Sequence, residues 1–271
     1  MFSIAEQQAR YRAALAEQPI FDCNVWYDPL CEEGFVPYDS LDAMLADCGA
    51  HGIGGGIVTD RQAAVLDNYT GNARLEKWLA GRKNWYGCMV LTPDVSFLGA
   101  ERYIRDRQAA GFRAAAMFPR TFEHSMQPFA VGELLDILQR ERIPLMLWHD
   151  QVGWDTVDAL CSRYPQLPVI LRAHTVKFLY YARQYLALLR AHDHLYMESH
   201  NLVLPRELET IWALTGKMHV LYGSYMPAAN PDFASYRVLN ADIPPAARDE
   251  FVANAKQEAD NIRRGAEDKA T

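Results

Sequence analysis

Apolar and polar positions along this chain fall into two alternating textures. Short runs dominated by apolar residues, PIFDCNVW (19–26), GIGGGIVTD (52–60), WYGCMVLT (85–92) and FRAAAMF (112–118), read as buried β-strands. Four more runs, IPLMLWH, LPVILRAH, HLYMESH and HVLYGSY, close at His149, His174, His200 and Tyr225. Between the runs lie stretches with apolar residues three and four apart, the pattern of helices with one buried face. LDAMLADCGAH, VGELLDILQRER, GWDTVDALCSRY and KFLYYARQYLALLRAH are examples. The last four run ends recur about every 25 residues, which suits successive βα units. Eight such units predict an α/β fold, a single (β/α)8 barrel over residues 1–271. One extra helix is expected before the first strand and one after the last, AARDEFVANAKQEADNIRRG.

In a closed barrel of parallel strands the strand C-termini converge on one face, where active sites lie. The four run ends are therefore expected to meet a common pocket, although a histidine at a strand end can also be a hydrogen-bonded structural residue. Two long connections, 27–39 and 60–71, follow strand C-termini and are expected to cover that face. The glycine-rich GIGGGIV lacks the helix start that a phosphate loop needs and reads as close packing at a strand entry.

Composition narrows the function classes. Half of the residues are hydrophobic and 23% are charged, a balance suited to a folded core. A net charge of −7 gives no electrostatic reason to expect nucleic acid or an anionic membrane as partner. The first segment, MFSIAEQQARYRAALAEQ, is amphipathic and mixed in charge, so it reads as neither a signal peptide nor a membrane span. Five cysteines, with no CxxC pair, read as reduced thiols of a cytoplasmic protein. The expected partner is a small-molecule substrate. The aromatic-rich helices are compatible with a homodimer.

The order IFDCNVW, GFRAAAMFP, IPLMLWH, LPVILRAH, LYMES, VLYGSYMP and FVANAKQEA resembles the amidohydrolase-related (amidohydrolase 2 type) branch of TIM-barrel metal-dependent hydrolases and decarboxylases. The resemblance implies D-x-H-x-H on the first strand, histidines ending strands five and six, and a G-S-D-x-P turn on strand eight. This chain has Asp22-Cys23-Asn24-Val25-Trp26 and Gly223-Ser224-Tyr225-Met226-Pro227 at those places. An amide and an indole replace two histidines, and the indole N–H can only donate. A phenol with an ordinary pKa of roughly 10 replaces the aspartate that would hold the metal and activate water. Three protein ligands are the usual minimum for a catalytic zinc. The resemblance therefore implies a divergent member with no metal in the inherited position, and no other cofactor is expected.

The expected chemistry follows. His149 and His174 would exchange protons, Tyr225 would donate to a developing oxyanion, and Asp22 would either pair with His174 or satisfy backbone donors. Arg120 would meet a substrate carboxylate or form a solvent salt bridge. His200, Asn24, Trp26 and Trp148 would line the ligand, or the aromatic residues would fill space vacated by a metal. Lys177 reads as a helix start rather than a Schiff base. The family's substrates imply hydrolysis or a lyase step on a small cyclic or aromatic carboxylate, ester, lactone or amide. The alternatives are a catalytically silent scaffold, or a rearranged metal on His149, His174 and His200 with Asp22 or Glu198 assisting.

Overall fold

The computed structural model describes residues 20–27, 38–173, 178–248 and Phe251, together with Glu6 and Ala13. The expected N-terminal helix, the segment 28–37, His174, Lys177 and most of the expected C-terminal helix lie outside the described residues.

All eight apolar runs contain strands: β1 (Ile20–Tyr27), β2 (Ile53–Asp60), β3 (Trp85–Val90), β4 (Phe112–Ala116), β5 (Leu145–Trp148), β6 (Val169–Arg172), β7 (Leu195–Glu198) and β8 (Val220–Leu221). They pair in sequence order, and every pair is parallel. Backbone hydrogen bonds from Cys23 N to Tyr222 O, Tyr225 N to Asn24 O and Trp26 N to Met226 O join the two edges. These bonds bring the first and last strands together, so that the sheet forms a nearly closed (β/α)8 barrel.

The described α-helices are α1 (Leu41–Ala50), α2 (Arg61–Val65), α3 (Asn68–Leu79), α4 (Ala100–Ala109), α5 (Pro128–Glu141), α6 (Trp154–Arg163), α7 (Ala182–Ala191), α8 (Glu207–Thr215) and α9 (Pro231–Asn240). Short 3₁₀ turns precede α4 and α7. Their starts follow from local chemistry: Ser40 Oγ accepts from Ala43 N at 3.1 Å, and Pro128 occupies the first turn of α5. The stretch 60–71, expected as a long connection that covers the strand C-termini, is mostly helical. Asp60 caps α2 through Ala63 N, and Asp67 caps α3 through Tyr69 N and Thr70 N. Two aspartate caps seven residues apart are the signal for two helices in tandem.

Apolar side chains form two clusters. The outer one joins alternate strand residues such as Val25, Met89, Leu147 and Met197 to the helices. The inner one fills the barrel with Phe21, Cys88, Phe118, Met146, Ile170, Leu221 and their neighbours. Strand alternation largely separates the two sets, and on β1 a register shift between Asp22 and Val25 moves the inward phase from Phe21 and Cys23 to Trp26. That irregularity sends Trp26 into the barrel. Gly55 and Gly56 pack as the glycine-rich run suggests: a Cβ on either would lie 2.4 Å from a backbone oxygen, of Asn84 and Asp22 respectively.

Cys23, Cys48, Cys88 and Cys161 are buried free thiols whose pKa values burial pushes up. Among the described residues no helix is long and apolar enough to cross a membrane.

Candidate active site

Polar and aromatic side chains gather inside the barrel at the C-terminal ends of its strands. β7 supplies Glu198, fully buried and inward by alternation from Tyr196. Its Oε1 accepts from Ala173 N at 3.0 Å and from His200 Nδ1 at 2.6 Å, while Oε2 accepts from His200 N at 2.9 Å. A carboxylate that accepts from Nδ1 fixes the tautomer and orientation of the imidazole and leaves Nε2 for chemistry. The ring of His200 stacks on Tyr225 with centroids 4.5 Å apart and planes 23° apart.

Tyr225 follows β8 with φ at +58°, the left-handed region that a tyrosine rarely occupies. Its backbone N–H is held by Asn24 O, and its carbonyl accepts from Ala228 N and Ala229 N. Burial pushes the Tyr225 phenol far above its ordinary range, so the hydroxyl keeps its proton. Gly223 explains how β7 and β8 approach so closely: a Cβ there would lie 2.6 Å from Glu198 Oε2 and 3.0 Å from the Asn24 Cβ.

On β1, Asp22 Oδ1 accepts from Asn24 N at 2.8 Å and from Ser224 N at 3.1 Å, tying β1 to the turn after β8. Burial pushes the Asp22 carboxyl up to about 6, with hydrogen bonds from Ser224 and Asn24 opposing the rise. Asn24 Oδ1 accepts from Trp26 Nε1 at 2.7 Å and from Arg172 Nη1 at 3.5 Å. Trp26, expected to line the ligand or fill space vacated by a metal, is fully buried. Its ring lies 5.1 Å from Trp148, 6.3 Å from Phe118 and 6.2 Å from Tyr225.

Two arginines complete the interior. Arg172, inward on β6, is fully buried, donates to Thr59 Oγ1 at 3.1 Å and lies 4.9 Å from the Trp26 ring centroid. Arg61 begins α2 directly after β2 and is nearly buried. Its guanidinium lies 5.8 Å from the Trp148 ring and acts on the Tyr225 hydroxyl. The preceding Asp60 is clamped by Arg74, Nε to Oδ2 at 2.7 Å and Nη2 to Oδ1 at 2.5 Å, which fixes the end of β2.

The strand-end residues separate by phase. Trp148, the last residue of β5, points inward, whereas His149, one residue later, has its ring among Trp154, Phe178 and Tyr181. His200 lies two residues past β7, in phase with Glu198. Arg120 is exposed, and its backbone N–H donates to Gln151 Oε1 at 2.9 Å. His174 lies outside the described residues. Arg61, Arg172 and the Glu198–His200 pairing are features that the periodicity of the run ends does not single out. Arg172 carried one signal, a charge embedded in the apolar run LPVILRAH, which only an inward, partnered role accommodates.

These residues do not fit a divalent cation at the strand-one position. The one ligating atom of Asn24 is engaged by an indole N–H and a guanidinium, Trp26 offers only a donor, and the Tyr225 hydroxyl is protonated. A buried guanidinium also adds positive charge where a cation would need negative charge. Among the described residues no group of three or more His, Cys, Asp or Glu side chains is arranged to hold a metal.

No protein-family model matches the chain, and no curated protein sequence does. Solved structures do match in fold. A dihydroxybenzoic acid decarboxylase from Polaromonas sp. JS666, with bound manganese and 2-nitroresorcinol, gives a TM-score of 0.68 at 16% identity, covering 91% of this chain and 98% of its own. The 2,6-dihydroxybenzoate decarboxylase from Rhizobium gives 0.64 at 16% identity, covering 90% and 99%. An amidohydrolase described as putative, from Staphylococcus aureus, gives 0.69 at 13% identity, covering 89% and 99%. The chain thus has the fold of the amidohydrolase-type TIM barrels to which these decarboxylases belong.

Proposed function

We propose that this protein is a cytoplasmic enzyme of the hydrolase or lyase kind, acting on a small flat carboxylate, or its ester, lactone or amide, through side-chain acid–base chemistry. The observation that carries this reading is the Glu198–His200 pair, a buried carboxylate holding Nδ1 of an imidazole at 2.6 Å. Base and orienting group are the minimal parts of a general acid–base device. His200 Nε2 exchanges the proton, and the Tyr225 hydroxyl donates to the substrate oxygen on which charge accumulates. Arg61 supplies the positive charge for a carboxylate, and the Trp148 ring beside it offers a face for stacking. For an aromatic acid, His200 delivers its proton to the ring carbon bearing the carboxylate. The carbon–carbon bond then breaks, its electron pair returns to the ring, and carbon dioxide leaves. Decarboxylases of aromatic acids among the structural neighbours favour this substrate class.

A second reading, a binding or scaffold homologue, is favoured by one observation: Trp26 and Trp148 fill the interior at the strand ends. One experiment separates the two. Chelator-dialysed protein is incubated with hydroxybenzoates and their esters and lactones, and products are followed by chromatography. Turnover that survives chelation and falls roughly 10²–10⁴-fold in His200→Gln, at an unchanged melting temperature, supports the enzyme. Ligand binding without turnover supports the scaffold. Turnover that requires an added divalent cation overturns the metal-independent chemistry.

A further inference from the structure

We infer that Arg172 is the barrel's built-in cation: its guanidinium lies beside the two strand-one positions where metal-binding histidines would stand, and it keeps a divalent ion out. Arg172 is fully buried on β6, with Nη1 donating to Thr59 Oγ1 at 3.1 Å and to Asn24 Oδ1 at 3.5 Å. The face of the Trp26 ring lies 4.9 Å from its central carbon. Among the described residues its Nε and Nη2 have no hydrogen-bond partner. Arginine keeps its charge even when buried, and a buried charge is costly unless its surroundings answer it. Here the answer comes from the Trp26 π face, the oxygens of Asn24 and Thr59, and the Glu198 carboxyl nearby. Of those groups, the Thr59 hydroxyl and the Glu198 carboxyl are oxygens of the kind a divalent cation or its waters would use. The interior therefore carries a cation of its own, one that is covalently tethered and does not exchange. The tethered cation also accounts for Trp26, since an indole face suits a guanidinium whereas a second histidine there would bring donors and charge against it.

The inference stands whether or not the barrel turns over a substrate, because its readout is cation affinity. Asn24→Asp places a carboxylate between Asp22, whose Oδ1 accepts from residue 24, and Glu198, whose Oε2 faces it across Gly223. The full chain carrying Asn24→Asp, Asn24→Asp/Arg172→Lys and Asn24→Asp/Arg172→Met is titrated with manganese and with zinc by calorimetry, after melting curves establish that each is folded. Loss of the charge in the Met variant should raise the affinity for one equivalent of cation at least tenfold over the other two. If Arg172→Met does not fold, Arg172→Gln removes the same charge and retains a donor for Thr59. Equal affinity regardless of residue 172, including no measurable binding by any variant, overturns the proposal.

Discussion

Glu198 holds His200 twice, accepting from its ring Nδ1 at 2.6 Å and from its backbone N–H at 2.9 Å. The carboxylate also accepts from Ala173 N, so three donors converge on two oxygens. A glutamine cannot serve all of them, because its amide nitrogen must face at least one donor. Glu198→Gln should therefore cost about 1–3 kcal/mol of stability, measured by denaturant unfolding. It should also lower turnover on the best substrate by roughly 10²–10⁴-fold. Because the two residues act as one device, the double variant with His200→Gln should be no slower than the worse single variant. Multiplicative losses would show that the two act independently.

Asp22 offers a prediction in pH. Burial raises its folded-state carboxyl from 3.8 to about 6, so between those values the native chain holds more protons than the unfolded chain. Stability from this group is fully present below about pH 4 and is lost as pH rises through 6, a swing of about 3 kcal/mol for two units. Asp22→Asn mimics the protonated form and does not titrate. The stability of the variant relative to the natural chain should therefore increase from pH 4 to pH 7.5, as read from paired unfolding curves. Groups common to both chains cancel in the difference, and a flat difference would remove Asp22 as the titrating group.

The barrel was readable in the chain because each strand is an apolar run of its own, and the helices between them show the three-and-four spacing. The site was readable only in part. Periodicity finds strand ends, but it does not find phase. His149 lies one residue past β5 and faces Trp154 and Phe178, whereas His200 lies two past β7 and returns to the phase of Glu198. The irregularity between Asp22 and Val25, which turns Trp26 inward, has no signature in hydrophobicity because the residues on both sides of it are buried. Arg61 stayed hidden because 60–71 reads as one long connection unless Asp60 is recognised as the cap that begins α2.

Gly223 predicts a steric test of the β7–β8 approach. Alanine there would bring a Cβ within 2.6 Å of Glu198 Oε2, in a buried layer with little room to yield. Gly223→Ala should destabilise by about 1–3 kcal/mol and should lower turnover by displacing the group that orients His200. Gly49→Ala in α1 is the control, since a Cβ there meets nothing within 4 Å. That helical position should instead gain about 0.5–1 kcal/mol. Chemical denaturation of the two variants side by side checks both signs.

Tyr225 allows stacking to be separated from hydrogen bonding. Its ring lies 4.5 Å from His200, so Tyr225→Phe retains the stack and removes only the hydroxyl. If that hydroxyl donates to charge that develops in the transition state, kcat should fall by roughly 10²–10³-fold. KM should change little, because the ground-state substrate makes little use of the bond. Arg61 should behave in the opposite way, since a carboxylate is charged throughout the reaction. Arg61→Met should raise KM with a smaller effect on kcat, and Arg61→Lys should recover part of the loss by restoring the charge without the planar fork. Burial holds the Tyr225 proton well beyond the working range, so the natural chain and Tyr225→Phe should have pH–rate profiles of the same shape. A limb that disappears on removing the hydroxyl would mean that Tyr225 itself titrates during turnover and belongs among the proton-transfer groups.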